Sequence, residues 1–318
     1  MKDSFGRNID YLRISLTDQC NYRCIYCMPE ESIELVNKNQ LEYKEVINFI
    51  KAASSLGIRK IRFTGGEPLL FKNFEKLVYE TSKITGIKKI AVTTNGSLLD
   101  GRLGELKKAG LTNLNISLDS LDSDRFKVIT KYGALKDVLS SIDMGIRLGF
   151  NPIKINTVII KGINDDEIKN FIYLTKNMPV YVRFIELMPI GKGIELYSQS
   201  AITSEEILSK NLELKHIENE KNSTARLYKL NDSMGAIGFI SPMSCKFCSN
   251  CNKIRLTSSG TIKPCLHSNE EINIKSYFNN YDKLKEELSN CIFNKPKEHN
   301  LEKKLESDCK RMMFQIGG

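Results

Sequence analysis

The sequence predicts an α/β protein built on a partial (β/α)6 barrel of the TIM type, followed by a C-terminal extension. Three observations carry that prediction. Between about residues 9 and 190, six short apolar runs alternate with amphipathic helical segments, the pattern of parallel strands joined by crossover helices. Five of these runs alternate apolar with polar residues, whereas parallel strands packed on both faces are apolar throughout. The nine cysteines gather mainly in two places, three near the start and four between residues 245 and 265.

Taken in order, the strand candidates are YLRISLT, IRKIRFT, KKIAVTT, NLNISLD, IKINTVII and VYVRFIEL. The helical segments between them include YKEVINFIKAASSLG, whose glycine suits a helix C-cap, GRLGELKKAG and DEIKNFIYLTKN. Six such units fit an open barrel better than a closed eight-unit one. A doubly wound sheet shows the same alternation, and the count alone does not separate the two.

In the first strand Leu12, Ile14 and Leu16 oppose Arg13 and Ser15, and in the second Ile61 and Phe63 oppose Arg62 and Thr64. The third sets Thr93 and Asn95 apart from Val92. The fourth sets Asn115 and Ser117 against Leu114, Ile116 and Leu118, and the fifth sets Lys154 and Asn156 against Ile153 and Ile155. The apolar faces belong under the helices. The polar faces then line a lumen, where an ordinary packed barrel would carry branched apolar side chains.

Three of the inward residues, Arg13, Arg62 and Lys154, are cations. Burying like charges together is costly without a counterion. At an effective dielectric near 20, each close opposite charge contributes roughly 4 kcal/mol of attraction before desolvation. A phosphate-rich ligand is therefore expected inside. No G-x4-G-K-[ST] loop is present, so a nucleotide would not be held in the ATPase manner.

The first cysteine group, TDQCNYRCIYCMP, spaces Cys20, Cys24 and Cys27 as C-x3-C-x2-C. Three thiolates leave one iron of a cubane cluster open to a small molecule. A structural zinc site usually wants four ligands, and a redox pair of Cys24 and Cys27 leaves Cys20 unexplained. In the second group, SCKFCSNCNKIRLTSSGTIKPCL, Cys245, Cys248, Cys251 and Cys265 could bind zinc through four thiolates, or three of them could hold a second cluster. Lys253 and Arg255 put positive charge beside that metal. TGGEP, Thr64 to Pro68, follows the second strand, and Gly65 and Gly66 permit close backbone approach.

The chain has 318 residues, 41% hydrophobic and 27% charged, with a formal net charge of +9. No run of 18 or more apolar residues exists, and MKDSFGRNIDYL lacks an apolar leader core, so neither a membrane span nor secretion is expected. Cysteines in such a chain point to metal ligation rather than disulfides. The basic residues form no stripe or arm, which disfavours a nucleic-acid partner. One rival remains a zinc or iron–sulfur nucleic-acid module, and another is an enzyme whose C-terminal cluster serves a peptide substrate.

The stretches GRNIDYLRISLTDQCNYRCIYCMP, IRFTGGEPLL, TTNG, NISLDSLD, IKINTVIIKG, VRFIELMPIG, FCSNCNKIRLTSSGTIKPCL and the terminal IGG span essentially the whole chain. Together they resemble the GTP 3′,8-cyclases of molybdenum cofactor biosynthesis, within the radical S-adenosylmethionine superfamily. The resemblance implies two 4Fe–4S clusters and S-adenosylmethionine as cofactors. Cys20, Cys24 and Cys27 would hold the first cluster, whose open iron chelates S-adenosylmethionine, with Tyr26, Gly66, Ser117 and Met188 touching that cofactor. Cys248, Cys251 and Cys265 would hold the second, whose open iron meets the guanine. Arg13, Arg62, Thr93, Lys154, Lys253, Ile254 and Arg255 would contact GTP.

The implied reaction is cleavage of S-adenosylmethionine to a 5′-deoxyadenosyl radical, removal of the ribose C3′ hydrogen of GTP, and attack on C8. The product is 3′,8-cyclo-7,8-dihydro-GTP. Residues 1–190 would form the barrel core, and residues 191–318 would close it and carry the second cluster. An external one-electron donor, a downstream cyclic pyranopterin monophosphate synthase and a homodimer complete the expected partners, in the cytoplasm. The chain departs from the family in Lys253 for a usual Arg, in Gln19, in Phe71 and Lys72, and in the extra thiol of Cys245. A lysine lacks the bidentate fork, so a phosphate contact at Lys253 would be looser.

Overall fold

The computed structural model describes residues 1–31, 40–219, 223–299 and 309–317. Six parallel strands lie side by side in chain order: β1 (Tyr11–Ser15), β2 (Lys60–Thr64), β3 (Lys89–Thr94), β4 (Asn113–Ser117), β5 (Ile153–Ile159) and β6 (Val180–Glu186). The helices that return the chain are α1 (Tyr43–Ser55), α2 (Phe74–Lys83), α3 (Leu103–Ala109), α4 (Ser123–Thr130), α5 (Leu135–Arg147) and α6 (Ile168–Asn177). All six expected strands form, and the in-order sheet is that of a partial barrel. A doubly wound sheet would reverse its strand order at a switch point.

α1 shows how the local sequence does this. Its start is fixed by reciprocal capping between Glu42 and Glu45, with the Glu42 amide donating to Glu45 Oε2 at 2.7 Å. Val46, Ile47, Phe49, Ile50, Ala52 and Ala53 recur at helical spacing and are all buried. The helix stops where Gly57 takes a φ of +96°, which a side chain would resist.

Beneath the helices lie Leu12, Ile14, Ile61, Phe63, Leu114, Ile116, Ile153 and Ile155, none with exposed surface. Burying each side chain contributes roughly 1.5–3 kcal/mol. Phe63 meets Phe74 of α2 edge to face at 5.6 Å, locking strand to helix.

The rest of the chain completes the same sheet. It forms α7 (Gly193–Ser200), α8 (Ser204–Ser209), β7 (Lys215–Ile217), β8 (Arg226–Lys229), β9 (Ala236–Ile240), β10 (Lys253–Leu256), β11 (Thr261–Lys263), β12 (Ile272–Asn273), α9 (Tyr281–Phe293) and a final turn, Met313–Ile316. β9 runs parallel to β6 and leads outward to β8 and β7, while β10 runs parallel to β1 and leads outward to β11 and β12. Both bare edges of the six-stranded core are thus paired, which removes two exposed ladders of N–H and C=O groups.

Candidate active site

Strand register arranges the inward residues in layers. Tyr11 lies opposite Lys253 on one side and Lys60 on the other, and Lys60 lies opposite Lys89. Two residues further along, Arg13 lies opposite Arg255 and Arg62. Two further still, Ser15 lies opposite Thr64. Because these strands are parallel, the lumen passes from a lysine layer at their N-terminal ends, through an arginine layer, to a hydroxyl layer. On the far wall Lys154 lies opposite Asn115, and Asn156 opposite Arg183.

A cavity of about 440 Å³ occupies this space. Among the described residues, eleven lysines and arginines line it against one carboxylate, Asp10. Burial, reinforced by Arg255, Arg62 and Arg183, holds the Arg13 guanidinium well below the usual arginine range. Burial brings the Lys253 ammonium down to about 8, with the charges of Arg13 and Lys60 acting the same way. Burial alone would raise the Tyr11 phenol, yet Arg62, Arg13, Lys253 and Arg183 bring it below its ordinary value. Such a site is short of negative charge. It also holds buried polar atoms without a hydrogen-bond partner, among them Arg62 Nε, Asn156 Oδ1 and Ser15 Oγ. A polyanionic ligand bearing acceptors and donors would satisfy both deficits, and the cavity lies within the roughly 300–1,000 Å³ of small-molecule sites.

Arg13, Arg62, Lys154, Lys253 and Arg255 all line the cavity. Thr93 stands behind them, accepting from Arg62 Nη1 at 3.0 Å. Ile254 sends its side chain into the apolar core with no exposed surface, so any contact with a ligand falls to its backbone.

The first cysteine loop follows β1 and sits at the C-terminal ends of the strands. The amides of Cys27 and Met28 both donate to Cys24 O, at 2.9 and 3.1 Å, closing one turn. Arg23 and Ile25 pin the loop to the end of α4 through Thr130 O and Ile129 O, each at 3.0 Å. TGGEP clamps it from the other side, with Gly66 N donating to Thr17 O and Glu67 N to Gln19 O, both at 2.7 Å. A Cβ on Gly66 would lie 2.2 Å from Gln19 O. The close approach these glycines permit in this structure is therefore to the cysteine loop itself. Glu67 is buried and accepts from Thr94 Oγ1, Asn95 N and Leu69 N. Tyr26 donates to Asp119 Oδ2 at 2.7 Å, Ser117 ends β4 half-buried, and Met188, after β6, lines the cavity.

Burial pushes the thiols of Cys20 and Cys27 up to about 11 and about 12 and that of Cys24 up as well, with Glu67, Asp119 and the neighbouring thiols adding to the effect. Three thiols packed in such company keep their protons unless cationic iron displaces them. Among the described residues, no three His, Cys, Asp or Glu side chains meet at a point that one ion could occupy. A cubane makes no such demand, since each thiolate binds a different iron, and three thiols on one loop fit it.

The second group sits at the opposite end. Cys248 and Cys251 precede β10, whose start pairs with the start of β1, and Cys265 follows the antiparallel β11 back to the same end. All three line the cavity. Burial raises the Cys248 thiol, whereas Cys251 lies below its ordinary value because Lys295, Lys253 and Arg255 outweigh burial. Cys245 is exposed and is not among the lining residues. A strand of five residues, roughly 17 Å long, runs between the two ends at which the groups sit.

The C-terminal tail crosses between them. Phe314 N donates to the Cys27 thiol, and Arg255 Nη1 donates to Gly317 O at 2.7 Å and Ile316 O at 3.3 Å. Gly317, at φ +65°, lies against the hydroxyl layer, where a Cβ would come 2.1 Å from Thr64 Oγ1. Gly318 lies outside the described residues.

Sequence reasoning missed several residues here. Tyr11 and Lys60 continue the period-two pattern that singled out Arg13 and Arg62, and Arg183 follows from the same alternation in β6. Asp119, Glu67 and Lys295 carried no such signal, because only the tertiary fold brings them to the site.

Fold and site together describe a radical S-adenosylmethionine enzyme. The model of the Radical SAM superfamily matches residues 14–174, and that of Molybdenum Cofactor Synthesis C matches residues 180–301. The chain is 57% identical to a GTP 3′,8-cyclase of Clostridium botulinum (strain Hall), over the full length of both. It is 52% identical to that of Clostridium acetobutylicum and 47% to that of Alkaliphilus oremlandii, again over the full length of both. The chain belongs to the GTP 3′,8-cyclase family. In fold it is similar to Streptococcus suis SuiB bound to S-adenosylmethionine, with a TM-score of 0.61 at 15% identity, covering 86% of this chain and 65% of that one. No helix among the described residues is long and apolar enough to cross a membrane.

Proposed function

We propose that this chain is the radical S-adenosylmethionine-dependent enzyme that cyclises GTP to 3′,8-cyclo-7,8-dihydro-GTP, the first step of molybdenum cofactor biosynthesis. The observation that carries this reading is the layered cationic lumen with a three-cysteine group at each end. Cys20, Cys24 and Cys27 hold one 4Fe–4S cluster, and Cys248, Cys251 and Cys265 hold the other. When bound, S-adenosylmethionine and the reduced first cluster supply the 5′-deoxyadenosyl radical, which is the cofactor's own chemistry.

The protein contributes position and shielding. Tyr26, Gly66, Ser117 and Met188 border the cofactor at the C-terminal ends of the strands. Arg13, Arg62, Lys154, Lys253 and Arg255 hold the triphosphate, with Lys60 and Arg183 extending that set. Thr93 steadies Arg62, and the backbone of Ile254 lies between the two β10 cations. Holding C3′ toward one end and the guanine toward the other turns a bimolecular encounter into a positioned one. Gly317 lies against the hydroxyl layer without bulk to obstruct either ligand.

Residues 1–190 form the working barrel in this reading, and residues 191–318 close it. The enzyme works in the cytoplasm, with an external one-electron donor. Its product passes to a cyclic pyranopterin monophosphate synthase. The test is anaerobic turnover of the cluster-loaded protein with GTP, S-adenosylmethionine and dithionite, followed by mass spectrometry. The reading requires the cyclised nucleotide together with 5′-deoxyadenosine; unchanged GTP beside normal 5′-deoxyadenosine formation would overturn it.

A further inference from the structure

The cavity reaches the N-terminal ends of β2 and β3, where its lining includes Arg59, Lys88 and Lys89, all exposed. Lys89 is the exposed end of the lysine layer, beside Lys60, and Arg59 and Lys88 stand beyond it. Their backbone is fixed. Arg59 N donates to Asp10 O at 2.8 Å, and the amides of Lys88 and Lys89 donate to Arg59 O at 2.7 and 3.2 Å. Arg59 Nη1 is tied to Ser54 O and Ile58 O at 3.0 and 3.1 Å.

The rim therefore presents its cations from a rigid frame. Among the described residues the lining has one carboxylate, Asp10, and it is already engaged, accepting from Asn252 Nδ2 at 2.7 Å. From rim to interior the positive groups change in kind. Exposed, strongly hydrated side chains come first, then Lys60 over the Tyr11 ring at 4.4 Å, then buried guanidinium groups. A polyanion moving inward finds cations at each stage and loses its water gradually.

We propose that Lys88 and Lys89, on the frame that Arg59 fixes, form an entry site that captures the triphosphate of GTP before Arg13, Arg62 and Arg255 take it, so that the nucleotide enters through the N-terminal end of the barrel. The inference rests on GTP being the substrate. It also separates the traffic of the two small molecules. S-adenosylmethionine carries a sulfonium, an ammonium and one carboxylate, is a net cation, and is repelled by this rim. Clefts lined by one sign of charge accelerate capture of the opposite sign, and salt removes the effect.

The experiment is stopped-flow binding of a fluorescent, 2′-labelled GTP analogue to the cluster-loaded enzyme without reductant. Wild type is compared with the double variant Lys88→Glu/Lys89→Glu across ionic strengths from about 0.01 M to about 1 M. At the low end the double variant should associate about tenfold more slowly. The wild-type rate should fall steeply with salt, and the two rates should converge at the high end. Should the charge reversal fail to load its clusters, Lys88→Gln/Lys89→Gln carries the test with a smaller loss of the same form. Equal association rates at low salt overturn the entry site. If wild type binds the analogue at no ionic strength, the GTP reading itself fails; tight binding indifferent to salt and to the substitutions sinks the entry site alone.

Discussion

The two ends of the lumen each hold three thiols, in opposite electrical surroundings. At the C-terminal ends of the strands, burial pushes the thiols of Cys20, Cys24 and Cys27 upward, and the carboxylates Glu67 and Asp119 add to it. At the N-terminal ends burial raises Cys248, but at Cys251 the charges of Lys295, Lys253 and Arg255 outweigh burial and draw the thiol downward. A cluster at the first end meets a surrounding that favours a cationic ligand, and S-adenosylmethionine is one. A cluster at the second meets a surrounding that favours a polyanion, and GTP is one. On the proposed reading, the barrel sorts its two small molecules by charge along one strand length, before any side chain reads their shape.

The largest expected effect comes from erasing one end. Cys24→Ala should leave no detectable 5′-deoxyadenosine when quenched anaerobic reactions are chromatographed, because the first cluster is gone. Erasing the other end should separate the two activities. Cys248→Ala should form no cyclised product while still cleaving some S-adenosylmethionine, and full cyclase activity in that variant would contradict the role of the second group.

Lys154→Ala should sharpen the contrast. Losing a charge-assisted contact of roughly 1.5–3 kcal/mol should weaken GTP binding by one to two orders of magnitude. S-adenosylmethionine binding, measured by equilibrium dialysis on the same sample, should hardly change, and equal losses would count against sorting by charge. The smallest effect should come from Gly317→Ala. The added Cβ meets Thr64 Oγ1 at 2.1 Å, and the residue must hold φ +65°, so the tail shifts away from Arg255 at a cost of about 1–2 kcal/mol. A severalfold fall in cyclisation with little change in melting temperature is expected, and undiminished activity would show that the tail's seat is unimportant.

Much of this was legible in the sequence, for a physical reason. A strand's side chains alternate, so Arg13, Arg62 and Lys154 declared themselves inward as soon as their neighbours declared themselves core. Tyr11, Lys60 and Arg183 obey the same rule and could have been read from it. β7 to β12 were not legible, since most of them are runs of two to four residues outside the repeating strand–helix units, and their places at the sheet edges are fixed by the core they join. Gly66 was legible as a point of close approach, but what it approaches, the carbonyl of Gln19, is a tertiary fact. So is the buried Glu67, whose role in tying β3 to the cysteine loop depends on three donors far from it or beside it in sequence.

The most direct test is iron and sulfide analysis of protein isolated without oxygen, on wild type and on two triple variants, one with Cys20, Cys24 and Cys27 replaced by alanine and one with Cys248, Cys251 and Cys265 replaced. The account predicts about eight irons per chain in wild type and about four in each variant, each group holding its own cluster. Zinc in place of iron at either end, or one triple variant losing all of its iron, would contradict it.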